Sequence, residues 1–366
     1  MTLLALALAV SAVSSSAVSM PARVTPVRPP RVEVAFVLDT TGSMGGLIEG
    51  AKRRIWSIAR RIGEGRPQPD LRIALVGYRD LGDDYVTRVH DLTGDMDDVY
   101  QSLSAFSANG GGDGPEHVSR AIHDAVHRVS WSQGAGLRII FLVGDAPPHL
   151  DYQDGFDYRR HAAEARERGI VVETILCGGN PQAAAVWQEI AGLGQGHYAQ
   201  IDAQGGMPAA VTPVDADLAR LNGDLAGTVV PAGTRAEQEG TVRKLDARKA
   251  MPAAAATEAA AYFAAAERLA ARDLVDMPVA EQKKELDALK RAGAAPAAVK
   301  DKSAEESVAY LKAQKDRRAQ LQTRIQTLQK QREEYLRARS GGRADAFDEQ
   351  VVQNLRKQAA QQGIAY

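Results

Sequence analysis

The fold is decided by the stretch Val32-Glu33-Val34-Ala35-Phe36-Val37-Leu38-Asp39-Thr40-Thr41-Gly42-Ser43-Met44. Its first seven residues are apolar apart from Glu33 and rich in valine, which is typical of a short buried strand. A carboxylate and two hydroxyls follow at alternate positions, at Asp39, Thr41 and Ser43. Oxygen ligands of this kind suit Mg²⁺ or Ca²⁺. Because ligands bind beyond the carboxyl ends of strands in open α/β sheets, the stretch predicts a strand that leads into a metal-binding loop.

Two later loops carry related chemistry. One is the glycine-rich run Asn109-Gly110-Gly111-Gly112-Asp113-Gly114-Pro115-Glu116, and the other is the strand end Phe141-Leu142-Val143-Gly144-Asp145. The three loops, in this order, resemble the metal loops of von Willebrand factor type A (vWA) domains. Together with the export signal described below, the resemblance leads us to interpret the chain as a vWA protein of the bacterial exported type. The first loop resembles the family motif Asp-x-Ser-x-Ser, with Thr41 in place of the first serine.

The resemblance implies a metal-ion-dependent adhesion site beside the sheet. The metal would be Mg²⁺ (or Mn²⁺ or Ca²⁺), and an acidic group of a protein partner would complete its coordination shell. The residues that match the family's metal positions, directly or through water, are Asp39, Thr41, Ser43, Asp113 and Asp145. The resemblance also implies that Asp145 lies beside Asp39 on a neighbouring parallel strand.

Asp113 departs from the family pattern, which usually has a threonine at this position. Asp113 and Glu116 also have the spacing of a capping box, with Pro115 in the first helical turn, so the pair alternatively predicts a helix start. A third carboxylate beside the cation would weaken its attraction for an acidic partner. Both roles of Asp113 stay open.

Residues 32–228 alternate apolar strand-like runs with amphipathic helical patterns. The pattern predicts an α/β fold with a doubly wound, mainly parallel sheet of the vWA or Rossmann-like kind. The predicted strands are Val32–Leu38, Leu71–Tyr78, Leu137–Val143, Ile170–Leu176 and His197–Ile201, and residues 79–84 form a polar loop.

The first 31 residues predict export. Leu3 to Val13 is an apolar run that is too short to span a membrane, and small residues suited to signal-peptidase cleavage follow it. Residues 1–19 are therefore interpreted as a signal peptide and 20–31 as a proline-rich spacer, although no lysine or arginine precedes Arg23. The mature chain is expected to lie in the periplasm or outside the cell, without a transmembrane helix.

Composition limits the function further. The formal net charge is −1, which gives no global field for nucleic acid or an anionic membrane. The chain has one cysteine, Cys177, which lies in an apolar run and is expected to be a small buried core residue.

A second, helical region follows the α/β domain. Residues 229–250 are interpreted as a linker, 251–340 as a helical, partly coiled-coil region, and 341–366 as an amphipathic helix. The long helix carries an apolar seam that three polar residues interrupt. The seam is Leu311, Leu321, Ile325, Leu328 and Tyr335, and the interruptions are Gln314, Arg318 and Arg332. The seam fits a weak coiled coil that self-associates, or a helical hairpin that rests against itself.

Another possible metal constellation is the pair His123 and His127, spaced as in helical zinc sites, with His117 nearby. The sequence offers no third ligand on that helix face, so the pair is interpreted as part of a solvated surface. Tyr78, Arg79 and Asp80 end a strand and either support the metal loops or form ordinary loop surface.

The predicted function is divalent-metal-dependent protein binding, without catalysis. Two rivals remain. In one, the cation only neutralises buried aspartates and the helical tail makes the interactions; in the other, the metal activates water for hydrolysis.

Overall fold

The computed structural model describes residues 29–112, 114–203, 211–266, 268–340 and 346–366. The predicted signal peptide and most of the predicted spacer lie outside these residues. In the described part, six strands form one sheet in the order β3-β2-β1-β4-β5-β6, and every neighbouring pair is parallel except β2 and β3. The strands are β1 (Arg31–Asp39), β2 (Asp70–Tyr78), β3 (Thr87–Thr93), β4 (Leu137–Gly144), β5 (Val171–Cys177) and β6 (Gln195–Ile201).

The order of the strands follows from their composition. Strands β1 and β4 are almost entirely apolar, as strands buried on both faces must be, and they lie side by side at the centre of the sheet. Strand β3 is polar and only half-buried, so it forms the antiparallel edge. The sequence analysis assigned no strand to these residues, because only Val89 and Leu92 of β3 pack against the core.

Helices cover both faces of the sheet, which confirms the predicted doubly wound fold. One face packs against α1 and α2, with α6 in the same apolar cluster, and the other packs against α3, α4 and α5. Cys177 is buried in the first of these two layers, which confirms its prediction as a core residue. The helices are α1 (Gly45–Gly63), α2 (Met96–Ser104), α3 (Val118–His127), α4 (Tyr158–Glu167), α5 (Pro181–Leu193) and α6 (Asp215–Ala226).

The rest of the chain is helical and packs against the α/β part. The predicted linker 229–250 is wrong in most of its length, because a capping box formed by Thr234 and Glu237 starts a helix there. The helices are α7 (Arg235–Lys249), α8 (Ala253–Ala265), α9 (Val279–Arg291), α10 (Ala304–Ser340) and α11 (Ala346–Gln361). No helix among the described residues combines the length and apolarity needed to cross a membrane.

The last helix completes the sandwich. Helix α11 lies against β4, β5, β6 and α1, and its residues Phe347, Val351 and Leu355 belong to the same apolar cluster as the sheet. Beyond it, Ala365 and Arg66 exchange two backbone hydrogen bonds of 2.8 and 2.9 Å, which hold the chain against the end of α1. The layer that covers this face of the sheet therefore comes from both ends of the sequence.

The long helix α10 carries a buried stripe with seven-residue spacing: Leu311, Arg318, Ile325 and Arg332. The stripe faces α6, α8 and α9 of the same chain, where Arg318 pairs with Asp273 and Arg332 pairs with Asp215 and Glu258. The two arginines that interrupt the seam are thus paired within the chain, and the apolar members of the seam are covered there too.

Candidate metal centre

The floor of the site is Asp39, the last residue of β1. Its side chain is fully buried, and its Oδ1 accepts hydrogen bonds from the Thr41 backbone N–H at 2.8 Å and from Thr41 Oγ1 at 2.6 Å. Its Oδ2 has no hydrogen-bond partner among the described residues. A buried carboxylate oxygen without a partner is costly, so this atom requires a cation or a proton.

Four side chains that the sequence analysis predicted as ligands meet here. Thr41, Ser43 and Asp145 line one open depression of about 340 Å³, and Asp39 lies beneath it. The register of β1 on β4 pairs Leu38 with Val143, which places Asp39 and Asp145 at adjacent strand ends, as the resemblance implied. Whether these residues ligate a metal stays a prediction.

A close approach holds this edge of the sheet together. A Cβ atom on Gly144 would clash with Tyr78 Oη and would lie 3.2 Å from Asp39 Oδ2. Only glycine leaves room for the buried tyrosine hydroxyl and the aspartate at the same point.

The glycine-rich loop forms the wall of the depression. Asn109 N–H donates to Thr40 O at 3.1 Å and Gly42 N–H donates to Gly110 O at 3.2 Å, so this loop and the first loop are joined through their backbones. Gly111 has a positive φ of 80°, and a Cβ there would lie 3.1 Å from both Thr41 Cβ and Glu116 Oε1. The backbone at Gly111 therefore lies closely between Thr41 and the Glu116 carboxylate, where a larger residue would crowd both.

Glu116 is the site residue that sequence reasoning missed. Its side chain is buried and lines the depression, and its Oε2 has no hydrogen-bond partner among the described residues. The capping-box alternative is wrong for Glu116, because α3 begins only at Val118 and its N-cap is His117, whose ring accepts from the Arg120 N–H at 3.3 Å. The sequence contained a signal for this role. Glu116 lies two residues ahead of α3 and close to the glycines of the loop, where a carboxylate can turn toward the metal loops.

Asp113 lies outside the described residues, so its predicted role as a metal ligand is not addressed by the structure. Its neighbours Gly111 and Gly114 line the depression. Helix α3 begins at Val118 with His117 as its N-cap. The helix start predicted from the spacing of Asp113 and Glu116 therefore lies ahead of the observed one.

Tyr78, Arg79 and Asp80 support the loops from below. Arg79 is buried; its Nε donates to Thr40 O at 3.1 Å and its Nη2 donates to Ser107 O at 2.8 Å. These two bonds link the backbones of the first loop and of the segment that enters the glycine loop. Asp80 accepts from Tyr152 Oη at 2.7 Å, which ties the third loop to the same point. The supporting role is confirmed over the alternative of plain loop surface.

The carboxylates of the site repel one another. Burial raises the pKa of Asp39 to about 7, against the lowering effect of the Thr41 hydrogen bonds, and the nearby Asp145 adds to the rise. Burial also raises the pKa of Glu116 to about 9, with further contributions from the negative charges of Asp39, Asp80, Asp83 and Asp145. Without a cation, the site therefore retains protons at neutral pH.

These features fit a hard divalent cation. The lining side chains offer carboxylate, hydroxyl and amide oxygens, two buried carboxylate oxygens lack partners, and the excess negative charge calls for a positive counter-charge. Of the described residues, Asp39, Thr41, Ser43, Glu116 and Asp145 would hold the ion. The ion would supply positive charge and open coordination positions to an incoming oxygen ligand.

We expect the metal-free protein to lose stability as the pH rises from about 5 to about 9. The folded state holds a proton on Glu116 up to a pKa of about 9, whereas the unfolded chain releases it near 4.5. The proton-linked stability is complete below the unfolded value and is lost as the pH passes the folded one. Urea unfolding in EDTA across this range measures the effect, at a slope on the order of 1 kcal/mol per pH unit.

Glu116→Gln is the matched variant for this pH dependence. It keeps the shape of the side chain and removes the titrating group, so it should flatten the decline above neutral pH and raise the stability of the metal-free protein there. Identical pH profiles for the two proteins would show that Glu116 is already ionised in the folded state.

An open, mainly parallel α/β sheet with oxygen-rich loops at its carboxyl edge defines a class of domains that bind ligands at this edge. Residues 33–206 match the family model described as the von Willebrand factor A domain. This part of the chain is a von Willebrand factor A domain, as its three loops suggested.

The curated relatives match only part of the chain. The rat von Willebrand factor A domain-containing protein 7 is 37% identical over 142 residues, which is 38% of this chain and 14% of the rat protein. The human protein of the same name is 36% identical over 122 residues, which is 32% of this chain and 12% of that protein. The chain thus spans less than one sixth of the length of these relatives.

Among solved structures, the proximal thread matrix protein 1 of the mussel byssus, with a zinc-occupied MIDAS motif, is similar over 47% of this chain and 42% of its own. Its TM-score is 0.38 and its sequence identity is 14%.

Proposed function

We propose that this protein is a divalent-metal-dependent protein-binding module. The cation, of the Mg²⁺ class, sits among Asp39, Thr41, Ser43, Glu116 and Asp145, and an oxygen atom of a partner protein completes its coordination shell.

The observation that carries the proposal is the pair of buried carboxylate oxygens, Asp39 Oδ2 and Glu116 Oε2, that lack partners beneath an open depression. Two such atoms at one depression would destabilise the fold unless a cation or protons neutralise them. A cation at this place is reached from solvent, because Ser43 is exposed at the rim.

The surroundings of the depression suit a protein partner. Leu81 and Leu150 are 50% and 69% exposed. Leu81 follows Asp80 directly, and Leu150 lies between His149 and Tyr152, which both contact Asp80. A partner that reaches the metal would bury these leucines and gain apolar contact area. The excess of carboxylates also favours a partner that offers a neutral oxygen or a single carboxylate over a strongly acidic one.

Of the rival functions, a purely structural metal is less favoured because the depression is open. A hydrolase is also less favoured, since the described residues that line the depression include no histidine or lysine to move a proton.

We further propose that the protein is exported, because an apolar run from Leu3 to Val13 is followed by small residues suited to signal-peptidase cleavage.

Mg²⁺ and Mn²⁺ titration of the full chain by calorimetry tests the site. We expect saturable binding by the wild type and at least about tenfold weaker binding by Asp39→Asn, which keeps the volume but removes the charge. The matched control is Asp301→Asn, an exposed aspartate between α9 and α10, which should bind as the wild type does.

Partner capture is the second stage of the test. Proteins retained by the wild-type chain in Mg²⁺ should be lost both in EDTA and with Asp39→Asn. A folded wild type without saturable metal binding would overturn the proposal. Metal binding without metal-dependent retention of any protein would leave the cation a structural role.

A further inference from the structure

A second cluster of ligand-type side chains lies between α3 and α4. It consists of His123 and His127 on α3 and of His161 and Glu164 on α4, and is called the histidine cluster below. His127 Nε2 lies 2.9 Å and His161 Nδ1 lies 2.8 Å from the same atom, Glu164 Oε2. The ligand atoms of these three residues lie within 4.8 Å of one another.

The cluster is a formed site rather than a set of surface side chains. The His161 side chain is only 2% exposed, whereas those of His127 and Glu164 are 30% and 31% exposed. His123 stacks on His127 with a ring separation of 4.7 Å and meets the edge of His161 at 4.8 Å. One ligand is thus fixed by burial, and the other two leave an opening to solvent for a water or exogenous ligand.

Helix geometry explains why the sequence analysis interpreted His123 and His127 as a solvated surface. No third ligand was expected on the face of α3 that carries His123 and His127, and the residues that complete the group come from α4, more than thirty positions later in the chain. The packing of α3 on α4 brings them together.

We infer that His127, His161 and Glu164 bind a divalent transition-metal ion of the Zn²⁺ class, separately from the oxygen-ligand site at the sheet edge. Two imidazole nitrogens and one carboxylate oxygen, with an open fourth position, are the ligand set that zinc accepts and Mg²⁺ does not favour.

Arg160 opposes the metal-bound state. Its Nη2 lies 3.3 Å from His161 Nε2 and its Nε lies 3.7 Å from Glu164 Oε1. Since the guanidinium only donates, His161 carries its proton on Nδ1 and donates to Glu164. A metal at Nδ1 requires that proton to move to Nε2, where it would face Arg160. The arginine, 55% exposed, must therefore swing away when the metal binds.

The test is a Zn²⁺ titration of the full chain in the Asp39→Asn background, where the sheet-edge site is disabled. We expect one bound Zn²⁺ per chain, and at least about tenfold weaker binding after His127→Ala or Glu164→Gln. His197→Ala removes an exposed histidine on β6 and should leave the affinity unchanged. Arg160→Ala should strengthen binding severalfold, a gain that misfolding cannot imitate.

Two results would overturn the inference. One is a folded Asp39→Asn chain that binds no stoichiometric Zn²⁺. The other is an affinity that His127→Ala and Glu164→Gln leave unchanged, which would make the histidine cluster only a hydrogen-bonded contact between α3 and α4. Neither result bears on Mg²⁺ binding at the sheet edge.

Discussion

Phe347→Ala is expected to lower the free energy of unfolding by about 3–5 kcal/mol, as measured by urea denaturation of the full chain. The side chain is 1% exposed and lies in the cluster that α11 shares with β4, β5 and β6. Its removal leaves a cavity over the sheet, which the surrounding helices cannot fill without moving. A loss of this size is a large part of the stability of an ordinary domain.

The same packing predicts the fate of a chain that ends at residue 230. Such a chain keeps the segment that matches the family but loses α11 from the face of the sheet. It also loses α8, which packs on α1, and α10, which packs on α6 and α8. The lost residues include large buried side chains of the same cluster, each worth about 1.5–3 kcal/mol: Phe263, Ile325, Leu328, Phe347, Val351 and Leu355. We expect the shortened chain to aggregate or to remain unfolded, so metal and partner binding must be measured on the full chain.

Lys357→Ala is the matched control on the same helix. Lys357 is exposed, so its loss should change the free energy of unfolding by no more than about 0.5 kcal/mol. If Phe347→Ala were as mild as this control, or if the chain ending at residue 230 folded cooperatively, α11 would be an appendage to the domain.

The α/β fold could be predicted from the sequence because its strands and helix ends are marked by patterns within a few neighbouring residues. Strands β1 and β4 are nearly unbroken apolar runs. The start of α5 is indicated by the Asn180 N-cap and by Pro181 at the first helical position. The ends of such elements, and hence the loops with Asp39 and Asp145, follow from patterns of a few residues. Strand β3 was missed because an edge strand carries no continuous apolar run.

The remaining features depend on contacts between distant residues. Glu116 joins the site because its carboxylate turns toward Gly111 and the depression, whereas its sequence spacing from Asp113 favoured a helix cap. The position of α11 on the sheet also depends on contacts between distant residues. Its amphipathic pattern indicates that one face of the helix is buried, but the pattern does not identify the strands that bury it. Binding of a metal by Asp39 and its neighbours is tested by the Mg²⁺ and Mn²⁺ titration described above.

Arg318→Ala is expected to destabilise the protein by about 3–5 kcal/mol, because it leaves a buried carboxylate without its counter-charge. The Arg318 side chain is 6% exposed and that of Asp273 is fully buried, with Nη2 and Oδ2 at 2.5 Å. The guanidinium also pairs with Asp276 and donates to Thr228 O at 3.0 Å. It therefore joins α10 to the connection that follows α6 and to the segment before α9.

The pH dependence of this variant identifies the cause. Burial raises the pKa of Asp273, and the Arg318 charge partly offsets that effect, so loss of the arginine should raise this pKa further. A carboxyl group with a raised folded pKa loses its proton-linked stability as the pH increases. The deficit of Arg318→Ala should accordingly be smaller in mild acid than above neutral pH.

Arg317→Ala serves as the neighbouring control, since Arg317 is 53% exposed and its contact with Asp224 spans 3.8 Å. It should cost no more than about 0.5 kcal/mol. A double variant, Arg318→Met with Asp273→Asn, removes both charges while keeping an oxygen for the Val230 and Val275 N–H groups, and should recover much of the lost stability. If Arg318→Ala were no more costly than Arg317→Ala at any pH, the stripe on α10 would depend on Leu311 and Ile325 alone.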